Sequence, residues 1–417
     1  MSSILLKQVL LDGQNKDIFI ENGIFTEISD SILLTKAPDQ IIYGWGNLAI
    51  LPPFYNGHTH AAMSLFRGYA DDHELFDWLS NYVWPLEAKL TENDVYVGTK
   101  LAILEMIHSG TVFFNDMYWF QKGTIRAVDE MGVRANVGIM VLSQTGSNAR
   151  TANKNLREGK IPHSNRVCIS MAPHAIYTVN EKELRECAAF ARANGLPITI
   201  HLAETKKEFD DCIREHGMTP TAYLDKCGLV TENSSLAHAV WLTDDDFKII
   251  ADRNAILVHN PISNAKLCSG TFRYTEARNA GCRVIIGTDS SCSNNNLSMF
   301  EEVKFSALTA KASSGNPKTL PADEAFRMAT TEAADAFGIK AGIKTGCAAD
   351  FMLVKTNDIF LSPGHNLISD IVYAADRSCI DTVACNGKIL MQNGHIPGEE
   401  EIIREAKSVT RDLLRRN

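Results

Sequence analysis

NLAILPPFYNGHTHAAMSLFRG spans residues 47–68 and joins an apolar run to two closely spaced histidines. The mostly apolar NLAILPPF reads as a buried strand. Just past its two prolines, His58 and His60 flank one threonine. Side chains along a strand alternate with period two, so both imidazoles point the same way, toward the mouth at the strand's end. Two imidazoles on one side can hold one divalent cation, at roughly 2.0–2.1 Å per nitrogen for zinc.

Working outward, the same style recurs in GTVFFNDM, RANVGIMVL, VCISMAPHA, PITIHLAE, SSLAHAV, AILVHNP and RVIIGTDS, each an apolar run closing in polar residues. Helical segments lie between most of them. Thr91 and Asp94 give a T-x-x-D start; Val95, Ala102, Ile103, Met106 and Ile107 follow at helical spacing, and Gly110 is a stop. Eight such β/α units predict an α/β fold of the (β/α)8 TIM-barrel type. In that fold the chemistry sits at the C-terminal ends of the strands. There the sequence places His58 and His60, then His174, His201 with Glu204, His238, His259 with Asn260, and Asp289.

Histidines crowded at strand ends point to a metal. His201 and Asp289 would complete the pair at 58 and 60, giving a site of catalytic type with an open position. Glu204 falls where its strand turns outward, and a semi-buried carboxyl there has the raised pKa of a proton donor. The fourth strand offers no lysine for a bridging carbamate, which favours a single ion. His259 reads as structural. His73, His108, His163, His216, His365 and His395 fall in loops or helices and receive no role.

Both chain ends are β-rich. KDIFIENGIFTEI turns at Asn22-Gly23 and TVACNGKILMQNG at Asn386-Gly387, with ADFMLVK a strand before the latter. They predict a small β-sandwich of residues 1–52 and 345–417 beside a barrel of residues 53–344. A chain of 417 residues, 45% of them hydrophobic, can bury both cores. A net charge of −9 without a basic block argues against nucleic acid. No apolar run approaches the roughly 20 residues of a membrane helix, and the start lacks signal-peptide features. The ten scattered cysteines, with no C-x-x-C pair, suggest reduced thiols of a cytoplasmic protein. Phosphate loops, H-E-x-x-H, G-x-S-x-G and the signature of nucleic-acid-editing deaminases are missing.

The stretches NGHTHAAMSLFRG, FDWLSNYVWPLEAKLT, SGTVFFNDM, APHAIYT, HLAET, AHAVWL, VHNPISNAKL and GTDSSCSNNNLSMFEE carry a resemblance over nearly the whole chain. It is similar to the amidohydrolase superfamily and, within it, to the 5-methylthioadenosine/S-adenosylhomocysteine deaminase family. That resemblance implies His58, His60, His201 and Asp289 as ligands of one divalent ion per chain, zinc first, with Fe2+ or Mn2+ as alternatives. It implies that His238 hydrogen-bonds the attacking water, Asp289 takes its proton and Glu204 shuttles a proton to the ring. Trp78 and Glu87 would line the nucleoside site, Glu87 on the ribose hydroxyls, with His174 and Ser293 as further substrate contacts. Arg150 resembles an arginine lent across a subunit interface, hence a homo-oligomer. The implied reaction is hydrolytic deamination of an adenine nucleoside (5′-methylthioadenosine, adenosine, 5′-deoxyadenosine or S-adenosylhomocysteine) to its inosine analogue, with nucleoside and water as the small-molecule partners. One departure stands out: where some members carry an arginine for the amino-acid end of the substrate, Ile139 stands here, which tilts the reading away from S-adenosylhomocysteine. Two alternatives remain: hydrolysis of a guanine, pterin or s-triazine heterocycle, and a barrel that has lost catalysis and serves as a scaffold.

Overall fold

The computed structural model describes residues 3–144 and 147–416. Its centre is a sheet of eight parallel strands. They are Phe54–Thr59 (β1), Thr111–Asp116 (β2), Arg134–Val141 (β3), Val167–Pro173 (β4), Ile198–Leu202 (β5), Ser234–His238 (β6), Ile256–His259 (β7) and Arg283–Ile286 (β8). Each strand pairs with the next in chain order. The seam is drawn together by loop bonds: Asp289 N–H donates to the His58 carbonyl at 2.9 Å and Thr288 N–H to Asn56 Oδ1 at 3.0 Å. Glycine is required there, because a Cβ on Gly287 would lie 2.7 Å from the His58 nitrogen. Helices lie between the strands, and the architecture is a TIM barrel. The helix Glu92–His108 carries the capping box expected at Thr91 and Asp94.

The opening stretch departs from the sequence reading. NLAILPPF is not one barrel strand. Leu48–Leu51 pairs antiparallel with Phe351–Lys355 in a different sheet, and the barrel begins only at Phe54. Pro52 and Pro53 have no N–H to give a ladder, so the run is cut in two. His58 therefore lies inside β1, and His60 stands just beyond it as the cap of the turn Ala61–Phe66. The register shifts between Asn56 and Thr59 where this happens.

The second, separate sheet also has eight strands: Ser3–Leu11, Gln14–Glu21, Ile24–Ser29, Gln40–Tyr43 and Leu48–Leu51 from one chain end, Phe351–Lys355, Ile380–Cys385 and Lys388–Met391 from the other. Hairpins occur where Asn-Gly pairs foretold them, with positive φ at Asn22, Gly23, Asn386 and Gly387. Leu6, Val9, Ile18, Ile20, Phe25, Phe351 and Leu353 form its core. The late helices Leu367–Tyr373 and Glu399–Leu413 pack against barrel helices. No helix among the described residues is long and apolar enough to cross a membrane.

Candidate metal and active site

The strand ends β1, β5, β6 and β8 bring His58, His60, His201, His238 and Asp289 together. The ring nitrogens of His58, His201 and His238 lie within 4.8 Å of one another, and so do the ligand atoms of His58, His60 and Asp289. Two backbone carbonyls fix the imidazole tautomers. His60 Nδ1 is 2.6 Å from the Met117 carbonyl and His201 Nδ1 is 2.9 Å from the His174 carbonyl. A carbonyl oxygen only accepts, so each Nδ1 carries the proton and each Nε2 turns a lone pair inward. The His201 lone pair meets His58 Nε2 at 3.1 Å, and that of His60 meets Asp289 Oδ1 at 3.3 Å. His58 Nε2 is 3.6 Å from the same oxygen.

Asp289 is turned to suit. Its Oδ2 accepts from Ser263 Oγ at 2.6 Å and Ser293 Oγ at 2.7 Å, which leaves Oδ1 facing the imidazoles. Burial and the neighbouring imidazoles hold His58 and His201 well below the ordinary histidine value, so both are neutral. The lone pairs of the half-buried His60 and the buried His201 face Asp289 Oδ1 and His58 Nε2, an arrangement of donors that a cation would satisfy. The donor set therefore fits a divalent ion with nitrogen and oxygen ligands.

The backbone at these strand ends is itself unusual. Ala203, His238, Ala239 and Asp289 all have left-handed φ of 45° to 69° without being glycine. Such conformations are uncommon and gather at functional sites.

Glu204 follows β5. It is buried, its Oε1 accepts from Ser269 Oγ at 3.2 Å, and its Oε2 lies 3.9 Å from His238 Nε2. Burial raises its pKa above that of an ordinary glutamate, as a proton donor requires. His238 Nδ1 lies 2.8 Å from Asn264 Oδ1, which fixes the ring.

Above these groups lies a cavity whose wall includes Trp78, Glu87, His174 and Ser293. Burial pushes the Glu87 carboxyl up to about 7, against the pull of Tyr118 and Trp119. Trp78 is pinned by a bond from its Nε1 to the Ala70 carbonyl at 3.0 Å. His174 bonds Thr178 Oγ1 through Nδ1 at 2.9 Å, and burial lowers its pKa to about 3. The Ser293 hydroxyl is held on Asp289. Arg150 is exposed on the helix Ser147–Arg157, bonded to the Ser143 carbonyl at 3.3 Å, and does not line this cavity. On β3 the residue that meets the cavity is Met140; Ile139 points the other way into the core, because adjacent residues of a strand face opposite sides. His259 is stacked on Phe272 at 4.5 Å and stays outside. The cavity holds about 60 Å³, well under an ordinary ligand pocket. One wall is the π-helical turn Leu79–Val83.

Ser263, Asn264 and Ser269 escaped the sequence reading. They lie in or just past VHNPISNAKL, but a serine or asparagine after a strand looks like a helix cap, and nothing in the pattern says which side chain it will hold.

Comparison with known proteins adds three findings. The family model described as "Amidohydrolase family" matches residues 49–390. Two relatives match over nearly the whole chain. A 5′-deoxyadenosine deaminase of Methanospirillum hungatei is 45% identical over 99% of this chain and 94% of its own length. A 5-methylthioadenosine/S-adenosylhomocysteine deaminase of Archaeoglobus fulgidus is 41% identical over 99% of this chain and 98% of its own. Among solved structures, an adenosine deaminase from Xanthomonas campestris with bound zinc superimposes with a TM-score of 0.91 at 28% identity, covering 99% of this chain and 98% of that one.

Proposed function

The chain belongs to the amidohydrolase family, and from that premise we propose that it is a metal-dependent aminohydrolase that converts an adenine nucleoside to its inosine analogue and ammonia. The observation that carries this reading is the convergence of imidazole lone pairs on Asp289 beside a buried Glu204.

His58, His60, His201 and Asp289 would hold one divalent ion, zinc ahead of iron or manganese. Such an ion supplies Lewis acidity, so that a water gives up a proton near neutral pH. Asp289 Oδ1 accepts that proton, and His238 Nε2 orients the water oxygen toward the ring carbon that bears the amine. Glu204 Oε2 gives a proton to the adjoining ring nitrogen as the carbon–oxygen bond forms. The carbon–nitrogen bond then breaks: the amine leaves as ammonia with the proton that Asp289 took, and the new hydroxyl returns a proton to Glu204 as the carbonyl forms. Glu87, when ionised, accepts from the two ribose hydroxyls, and Trp78 and His174 bound the nucleoside.

The cavity also supports a choice among nucleosides. Its charged lining is Glu87, Glu204 and Asp289, and no lysine or arginine is among the described lining residues. Leu75, Leu79, Val83, Trp84 and Met140 supply an apolar wall. A neutral 5′ end suits it; the amino-acid end of S-adenosylhomocysteine finds no cation on this chain's cavity lining for its carboxylate. We place 5′-deoxyadenosine and 5′-methylthioadenosine first, then adenosine. On the same reading residues 1–52 and 345–417 form the small domain and 53–344 the catalytic one, the exposed Arg150 serves a neighbouring copy in a homo-oligomer, and ten unpaired cysteines suit the cytoplasm.

The test is the initial rate of ammonia release from these four nucleosides and from guanine, using metal-loaded enzyme. Turnover of the two 5′-modified nucleosides with little of S-adenosylhomocysteine is expected. An enzyme that left every adenine nucleoside intact would end the substrate assignment.

A further inference from the structure

Glu208 belongs to no step of the reaction above, yet it is a carboxyl only 3% exposed, directly behind the proposed acid. It stands in the first turn of the helix Lys206–His216, whose cap is Thr205. A glutamate at that position commonly bonds back to the cap. Glu208 instead reaches past it: Oε1 accepts from Ala203 N–H and Oε2 from Glu204 N–H, both at 2.9 Å. These are the two residues of the strained bend where β5 ends, with Ala203 at φ 45°.

The bend is tied from the other side as well. The Ala203 carbonyl accepts from Trp241 N–H at 2.9 Å. The Trp241 indole N–H donates to the Ser269 carbonyl at 2.6 Å, and the Ser269 hydroxyl returns to Glu204 Oε1 at 3.2 Å. The path Glu208–Ala203–Trp241–Ser269–Glu204 is closed. It fixes both the backbone that aims Glu204 and one of its two oxygens, and it leaves Oε2 toward His238 and the cavity.

We infer that Glu208, Trp241 and Ser269 form a hydrogen-bonded ring that positions the Glu204 carboxyl for proton transfer. The inference rests on the reading of Glu204 as the acid. The members of the ring are positioning residues, because none of them needs to touch the substrate. Glu208→Gln replaces a carboxylate that accepts twice with an amide that accepts through one oxygen only. The amide nitrogen would then set its own N–H against one of the two backbone N–H groups, so the bend must shift. Small misplacement of an acid costs rate steeply.

The experiment is a double-mutant cycle on 5′-deoxyadenosine. E208Q, W241F and S269A are each made alone and together with E204Q, with metal content and unfolding midpoint measured for every variant. E208Q should lower kcat by about 10- to 100-fold and S269A by about 3- to 10-fold, with KM changed less than about twofold. In the E204Q background the same changes should lower kcat less than about twofold further. Factors that multiply unchanged in that background would overturn the ring, since its members would then act without Glu204. An E204Q enzyme as fast as the parent would instead remove the acid assignment, a separate failure. Should E208Q not fold, S269A, which removes one hydroxyl, decides alone.

Discussion

Arg134 opens β3 at the N-terminal end of the barrel, and there it meets Asp350, the residue just before the second sheet's strand Phe351–Lys355. The buried Asp350 also accepts from Tyr55 Oη at 2.8 Å and from the Asn386 N–H at 2.5 Å, while Arg134 Nη2 donates to Asn386 Oδ1 at 2.9 Å. Each of these donors has a protein acceptor. At the other end of the barrel, His60 and His201 turn lone pairs on Asp289 and on His58 Nε2. One end is complete in itself and holds two sheets together. At the other end the ligand atoms of His58, His60, His201 and Asp289 converge as donors that could hold a cation. Keeping the fold closed and opening a reactive site are thus assigned to opposite ends of one barrel, as the architecture favours.

The contrast can be broken at either end. The largest effect is expected at the upper one: His201→Ala should cut kcat/KM by at least about 10³-fold and deplete bound metal, with the second sheet unaffected, as measured by ammonia release and elemental analysis. Next, Asp350→Ala leaves the half-buried Arg134 guanidinium without its partner. Denaturant unfolding should report a loss of about 3–5 kcal/mol, while the folded fraction keeps kcat within about twofold. A large fall in kcat at intact folding would mean that the two ends are not independent. Ser263→Ala sharpens the upper end alone: with one of two hydroxyls gone from Asp289 Oδ2, metal affinity in a competitive chelator titration should fall about 10- to 100-fold.

The smallest effect concerns pH. Burial raises Glu87 to about 7, so the carboxyl is protonated below that value and ionised above it. Only the ionised form accepts from both ribose hydroxyls. KM for a nucleoside should therefore rise as pH falls through about 7, by up to about tenfold per unit, and Glu87→Gln should flatten that dependence. A KM that rose with increasing pH instead would contradict the assigned role.

Much of this was legible in the residues. Apolar runs closing in His58, His174, His201, His238 and Asp289 laid out the barrel and its upper end, because buried parallel strands need uninterrupted apolar sequence and the site needs polar groups where they stop. The cut at Pro52-Pro53 was not legible as a change of sheet: Leu48–Leu51 is as apolar as a barrel strand, and only its pairing with Phe351–Lys355 tells them apart. Met140 was not foreseen on the cavity wall, because in an apolar run nothing marks which of two neighbouring residues faces the site. Glu208 and Ser269 were hidden for a different reason. Their partners are backbone groups and a side chain far along the chain, and no local pattern records a contact between residues 204 and 269.

The proposed chemistry requires four side chains to share one cation. Crystals grown with zinc and studied by anomalous X-ray diffraction test it directly. A single peak at roughly 2.0–2.2 Å from His58 Nε2, His60 Nε2, His201 Nε2 and Asp289 Oδ1 is expected. Metal-saturated crystals with no peak among these atoms would contradict it.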